Sequence, residues 1–238
     1  MATYVLIPGA WLGGWCWDRV APVLRAAGHQ VVTPTLTGLG HRAHLLTRDV
    51  NLLTHVHDVV DVIVHGGLRD VILVGHSYGG AVITAVAEEV PDTLRWLVFL
   101  DASVPRTGES SNDVLSPELV ERLRESARRD GNGWVVPPPS TATWGLDAET
   151  RSWVESMLTP HPLASLEQPL GLARRGARVR CAFFLTSATS PSYRRLRDRA
   201  RDDGWYCREI EGGHYAMLTA PGAVAHALIE LAHDRPVR

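Results

Sequence analysis

The chain has 238 residues, of which 45% are hydrophobic and 21% charged, and it is long enough to bury a sizeable globular core. Its formal net charge of -2 gives no reason to expect nucleic acid or an anionic membrane as a partner. Every strongly basic residue is arginine, and the absence of lysine excludes Schiff-base chemistry and a lysine-dependent phosphate-binding loop.

The three cysteines, Cys16, Cys181 and Cys207, are odd in number and widely spaced. They form neither a disulfide framework nor a CxxC zinc pattern, which favours a reducing compartment. The first residues, MATY, lead directly into a short apolar segment, and no apolar run reaches about 18 residues. We therefore expect no signal peptide and no membrane span, and we predict a cytoplasmic protein.

Short apolar runs alternate with longer helical patterns along most of the chain. This alternation predicts an α/β fold with a mostly parallel sheet covered by helices on both faces. The predicted strands cover residues 3–8, 29–36, 70–75, 94–102, 179–185 and 205–212. The predicted helices cover about 16–27, 52–67, 80–90, 192–202 and 221–233.

One segment, about 106–178, breaks this rhythm. It contains three consecutive prolines at 137–139 and helical patterns at 117–129 and 147–158. We interpret it as a cap inserted between two strands of the sheet. The predicted organisation is a core of residues 1–105 and 179–238 with a cap of residues 106–178.

The sequence Gly75-His76-Ser77-Tyr78-Gly79 lies between a predicted strand and a predicted helix. It matches the G-x-S-x-G nucleophile elbow in the strand–turn–helix context that this motif requires. The sharp turn strains the central residue, and side chains two positions away would clash, so glycine is needed on both sides. The pattern predicts that Ser77 is a nucleophile that attacks a carbonyl group.

Two further features could serve this serine. The turn after the first strand, IPGAW at 7–11, could supply the Ala10 amide to an oxyanion hole, paired with the amide of Tyr78, although an ordinary tight turn would look similar. His214 follows the last predicted strand and is the candidate general base. His76 should point away from Ser77, and His55 is expected at a solvated helix start.

Four stretches together carry a family resemblance: YVLIPGAWLGGWCWDRVAPVLRAAGHQV, LTGLGHRAHL, VILVGHSYGG and EGGHYAMLTAP. They resemble the α/β-hydrolase fold, and within it the branch of plant methyl-ester esterases, hydroxynitrile lyases and bacterial pyrethroid-hydrolase-like esterases. The resemblance implies a Ser77–His214 pair with Ala10 and Tyr78 as oxyanion donors. The lyases of this branch carry a threonine and a lysine where this chain has Gly9 and Tyr215, so ester hydrolysis is favoured.

The sequence departs from this family at the catalytic acid. The usual position, after the strand at 179–185, reads TSATSPSY and has no carboxylate, with Ser187 about where the aspartate would be. Asp101, at the end of the neighbouring strand, is our candidate, because its side chain should face the same crevice as Ser77. Alternatively, Asp101 could have no catalytic role and only cap the turn that follows the strand. The remaining alternatives are a site without an acid, or Asp198, Asp202, Asp203 or Glu211.

Together these features predict a serine hydrolase that cleaves a carboxylic ester through an acyl-enzyme, without a cofactor or metal. The expected partner is a small apolar or aromatic substrate, and a homodimer is left open. Two other classes stay open: a cofactor-free lyase, cyclase or dehydratase acting on a polyketide-like substrate, and a ligand-binding pseudoenzyme. The candidate substrate-binding residues are Trp11, Trp134, Trp144 and Trp153.

Overall fold

The computed structural model describes residues 1–171 and 179–233. Its strands are β1 Thr3–Ile7, β2 Gln30–Val32, β3 Val71–His76, β4 Leu94–Leu100, β5 Val135–Val136, β6 His161–Pro162, β7 Arg180–Ala188 and β8 Tyr206–Gly213. Its α-helices are α1 Ala21–Ala26, α2 Leu52–His65, α3 Gly79–Glu89, α4 Pro117–Asp130, α5 Ala148–Met157, α6 Leu163–Glu167, α7 Pro191–Asp202, α8 Ala216–Thr219 and α9 Pro221–His233.

Six strands form one parallel sheet in the order β2-β1-β3-β4-β7-β8. Successive residues of a strand point to opposite faces, so the sheet has two cores. Leu6 and Val74 belong to the cluster packed on α1 and α9, whereas Val5 and Leu73 belong to the cluster packed on α2 and α3. The predicted fold class is confirmed.

Prolines set the limits of two elements that differ from the prediction. The second strand was predicted over 29–36, but β2 ends at Val32, because Pro34 cannot donate to a sheet. The helix predicted over about 16–27 is a short 3₁₀ helix at Gly14–Trp17 followed by α1, which has Pro22 in its first turn.

The segment between β4 and β7 holds α4, the two-stranded antiparallel sheet of β5 and β6, and the helices α5 and α6. We call this segment the cap. Its predicted final residues, 172–178, lie outside the described residues, as do residues 234–238 of the predicted core. Within the described chain, no helix is both long and apolar enough to cross a membrane.

Strands β3, β4, β7 and β8 run in the same direction, so their carboxyl ends meet at one edge of the sheet. Hydrogen bonds continue across that edge beyond the strands: the Ser77 amide donates to Leu100, and the Ser103 amide donates to the carbonyl of Ser77 at 2.9 Å. These bonds join β3 to β4 at the point where the candidate site residues follow their strands.

Candidate active site

Ser77 lies at the turn between β3 and α3 with a φ of +51°, a left-handed conformation that is uncommon outside glycine. The flanking glycines are required by space. A Cβ atom on Gly75 would lie 2.5 Å from the carbonyl oxygen of Gly79, and one on Gly79 would lie 2.7 Å from that of Pro8. The clash predicted for both elbow glycines is confirmed.

Asp101 directly follows β4, also with a left-handed φ, of +43°, and its side chain is fully buried. Its carboxylate accepts hydrogen bonds from the amide and hydroxyl of Thr186, each at 2.8 Å, and from the hydroxyl of Thr189 at 2.5 Å. The fourth donor is His214 Nδ1, at 3.1 Å.

Burial alone would raise the pKa of Asp101. The hydrogen bond and positive charge of His214, with the hydrogen bonds from Thr186 and Thr189, outweigh burial and hold that pKa below its ordinary value. Asp101 is therefore an anion at neutral pH. Because a carboxylate can only accept, the proton of neutral His214 lies on Nδ1, which leaves Nε2 as the basic nitrogen.

Two rings fix the position of His214 at the end of β8. The ring of Tyr193, from α7, stacks on it with centroids 4.9 Å apart. On another side the ring of His76 lies 4.7 Å away, and His76 Nε2 donates to the His214 carbonyl at 2.9 Å. Burial lowers the pKa of His76 to about 3, so His76 is a neutral packing residue beneath the site.

The Ser77 hydroxyl is hydrogen bonded to the Tyr193 hydroxyl at 3.2 Å. Across the described residues, this is the hydrogen bond that the Ser77 side chain makes; none joins it to His214. Catalytic hydrogen bonds are often loose before substrate binds. Tyr193 was not predicted from the sequence; its one signal is its place in the segment where the family acid was sought.

The loop after β1 packs directly on the elbow: a Cβ atom on Gly9 would lie 3.0 Å from Ser77 Cβ. The Ala10 amide directly follows Gly9 in this loop, and the amide of Tyr78 directly follows Ser77 at the start of α3. Within residues 1–171 and 179–233, neither amide donates a hydrogen bond to a protein group. Both are available to bind an oxyanion.

The expectation for His55 was wrong. It is fully buried; its Nε2 donates to the Thr37 carbonyl at 2.9 Å, and its Nδ1 accepts from the Tyr78 hydroxyl at 2.8 Å. Burial lowers its pKa to about 4, so His55 is neutral. The helical pattern placed the residue on α2, but could not show that its polar partners would lie inside the protein.

Ser187 takes a different role from that of an acid. Its hydroxyl accepts from the amide of Gly212 at 3.1 Å and lies 3.3 Å from the carbonyl of the same residue. These bonds tie the end of β7 to the end of β8, just before His214.

The four candidate tryptophans separate into two pairs. Trp11 directly follows Ala10, and Trp144 stacks on Tyr215, beside His214, with centroids 3.5 Å apart. The other two contact different parts of the molecule: Trp134 lies under Arg48, and Trp153 packs edge-on against Trp15 of the core. The structure therefore places Trp144 beside His214 and Trp11 next to the loop residue Ala10, and it uses Trp134 and Trp153 elsewhere.

Comparisons with known proteins identify the family. The model of the alpha/beta hydrolase family matches residues 4–227. The chain is 39% identical over 241 residues to a carbendazim hydrolyzing esterase of Nocardioides sp. (strain SG-4G), covering 97% of this chain and 100% of that protein. It is 30% identical over 253 residues to the probable esterase PIR7A of Oryza sativa subsp. indica, covering 96% of each.

Among solved structures, an extracellular alpha/beta-hydrolase from a Paenibacillus species matches with a TM-score of 0.86 and 26% identity, covering 98% of this chain and 100% of that one. The family model thus covers most of the chain, and full-length relatives are named as esterases. The chain belongs to the alpha/beta hydrolase family and is a carboxylic-ester hydrolase.

Proposed function

We propose that the enzyme hydrolyses esters of small apolar or aromatic molecules, with Ser77, His214 and Asp101 as a catalytic triad. The observation that carries this proposal is the 3.1 Å hydrogen bond between His214 Nδ1 and the buried Asp101 carboxylate, next to a serine on a nucleophile elbow. The acid follows β4, and the hydrogen bonds that surround it keep it ionised.

The reaction follows from these positions. His214 Nε2 removes the Ser77 proton as Oγ attacks the ester carbonyl, and Asp101 stabilises the imidazolium that forms. The amides of Ala10 and Tyr78 donate to the tetrahedral oxyanion. The imidazolium then protonates the leaving alcohol, and an acyl-enzyme forms. Water attacks this ester with the same base, and the acid product leaves.

A cavity of about 660 Å³ beside the base supports the substrate class. Its lining includes His214, the stacked pair of Trp144 and Tyr215, and the small residues Ala220 and Ala223. These flat aromatic walls and small apolar side chains suit an aryl or alkyl group, and Glu211 adds one acidic side chain to the lining. Trp144, which lines this cavity, is the proposed substrate contact; Trp11 is not among the lining residues. We also propose a cytoplasmic location, which the three free cysteines support.

The test is hydrolysis of p-nitrophenyl butyrate, with carbendazim as a second substrate because one relative is named for it. We expect Ser77→Ala, His214→Ala and Asp101→Asn each to lower kcat by about a thousandfold or more, because each removes one part of a cooperating unit. Circular dichroism checks that each variant folds.

Asp92→Asn is the matched control for the acid, since it changes an exposed aspartate on the 3₁₀ helix before β4. It should keep wild-type activity. Full activity in Asp101→Asn would show that the acid lies elsewhere or is not needed. An inactive wild type, with Ser77 unlabelled by a fluorophosphonate, would refute the hydrolytic proposal.

A further inference from the structure

Trp11 has an unusual backbone for a large residue. Its φ is +65°, in the left-handed region that bulky side chains rarely adopt, and it directly follows the Ala10 amide. Such a conformation persists only where surrounding contacts hold it. The contacts that hold Trp11 therefore fix the loop backbone directly after the Ala10 amide.

Those contacts come from the cap. The Trp11 carbonyl accepts from the amide of Thr159 at 3.2 Å, and its indole Nε1 donates to the carbonyl of Val136 at 2.9 Å. Its own amide donates to His161 Nδ1 at 3.4 Å. Every hydrogen-bonding group of Trp11 is thus paired with the cap. We call Val136, Thr159 and His161 the cap clamp.

His161 can play this part only in one protonation state. Because the Trp11 amide is a donor, Nδ1 must be unprotonated, and Nε2–H then donates to the Ser165 hydroxyl at 2.9 Å. That hydroxyl donates in turn to the Pro162 carbonyl at 2.8 Å. His161 is fully buried, and burial with the nearby His55 ring lowers its pKa well below the ordinary value.

The same histidine also touches the second oxyanion residue. Its ring packs edge-on against Tyr78 with centroids 4.8 Å apart, and the Tyr78 hydroxyl is held on its other side by His55. One buried cap residue therefore contacts both segments that carry the oxyanion amides.

We propose that Trp11 is a positioning residue and that the cap clamp fixes the Ala10 amide in the oxyanion hole. This inference rests on the proposed function, since it assigns the Ala10 amide to the transition state. The cap then serves the chemical step as well as covering the substrate. Loss of the clamp should lower kcat, while substrate affinity changes little.

Two pairs of variants test the proposal. Trp11→Phe removes the indole donor but keeps an aromatic ring and the backbone bonds, and we expect kcat to fall about tenfold with KM within twofold. Trp205→Phe is the control; this half-buried tryptophan stacks on Phe99 and precedes β8, at the opposite end of the sheet. It should keep wild-type kcat.

The second pair changes the acceptor. His161→Asn keeps a hydrogen-bond acceptor near the position of Nδ1, so it should retain most of the activity. His161→Leu removes that acceptor, and its kcat should fall at least as far as the kcat of Trp11→Phe. A trifluoromethyl ketone places an oxyanion in the same hole, so its affinity should fall by the same factor as kcat/KM in the impaired variants. Melting temperatures separate this effect from unfolding.

The outcomes distinguish the two proposals. Hydrolysis that survives Ser77→Ala would refute the proposed function whatever the clamp variants do. If hydrolysis depends on Ser77, the clamp is refuted when Trp11→Phe leaves kcat and ketone affinity unchanged. It is also refuted if that variant raises KM alone, which would make Trp11 a substrate contact. Equal activity of folded His161→Asn and His161→Leu would exclude the acceptor role.

Discussion

Gly75 lies in β3, two residues before Ser77, where a methyl group would meet the Gly79 carbonyl oxygen at 2.5 Å. Backbone on both sides of the elbow would have to move to make room, and overpacking of this kind costs about 1–3 kcal/mol. We expect Gly75→Ala to lower both the free energy of unfolding and kcat, because the shift displaces the Ser77 hydroxyl.

Gly222 provides the matched control, since a methyl group there meets no atom within 4 Å. Gly222→Ala, in the first turn of α9, should keep activity and should not lower stability. Urea titration measures the free energy of unfolding of each variant, and p-nitrophenyl butyrate turnover measures its kcat. A Gly75→Ala enzyme as stable and active as Gly222→Ala would contradict the steric account of the elbow.

Single residues differ in how far the sequence alone predicts them. The elbow is predictable because local backbone geometry demands glycines around Ser77. Asp101 was a sound candidate because the strand order places its side chain at the same sheet edge. His161 and Tyr193 were not assigned, and His55 was wrongly expected at a solvated helix start, since the partners of all three come from segments distant in sequence and no local pattern encodes those contacts.

Two helices of similar form offer a test at the level of elements. Both α4 and α7 begin with a serine N-cap followed by proline. The Ser116 hydroxyl accepts from the amide of Leu119 at 3.3 Å, whereas the Ser190 side chain makes no capping bond. The two helices therefore allow a serine N-cap that makes a capping hydrogen bond to be compared with one that makes none.

We expect Ser116→Ala to lower the free energy of unfolding by about 1 kcal/mol, because it leaves an amide of the first turn without its cap. Ser190→Ala should change that free energy by less than about 0.5 kcal/mol. Urea denaturation of both variants checks the difference. An equal loss of unfolding free energy in both variants would show that the loss does not come from the capping hydrogen bond.

The elements themselves were largely predictable from the spacing of apolar residues. The last helix, 221–233, was predicted with the limits of α9. The errors lie where proline intervenes, at Pro22 and Pro34, because an apolar pattern continues through a residue that cannot donate a backbone hydrogen bond. The pairing of β5 with β6 in the cap joins two short segments far apart in sequence, beyond what periodicity predicts.

At the scale of the whole molecule, three histidines among the described residues are fully buried: His55, His76 and His161. Burial lowers the pKa of His55 from 6.5 to about 4 and that of His76 to about 3, and it also lowers the pKa of His161. In the unfolded chain each takes up a proton near pH 6.5. Unfolding therefore binds protons between about pH 6.5 and 4.

Stability should consequently fall as the pH falls through this window, because the unfolded state binds more protons. At pH 5, His55 alone should cost about 2 kcal/mol relative to neutral pH. Chemical denaturation at pH 7.5, 6 and 5 measures the trend. His57→Gln, which replaces an exposed histidine of the same helix, should follow the wild-type curve. A free energy of unfolding equal at pH 7.5 and 5 would contradict the prediction.

The proposed triad, with its acid at the end of β4, determines how the enzyme can be divided. Ser77 and Asp101 follow neighbouring strands on one side of the cap, and His214 follows a strand on the other. A break at the exposed Asn132, between α4 and β5, would place nucleophile and acid in one fragment and the base in the other. Neither fragment alone holds a complete triad, so hydrolysis would report that two fused partners had brought the halves together.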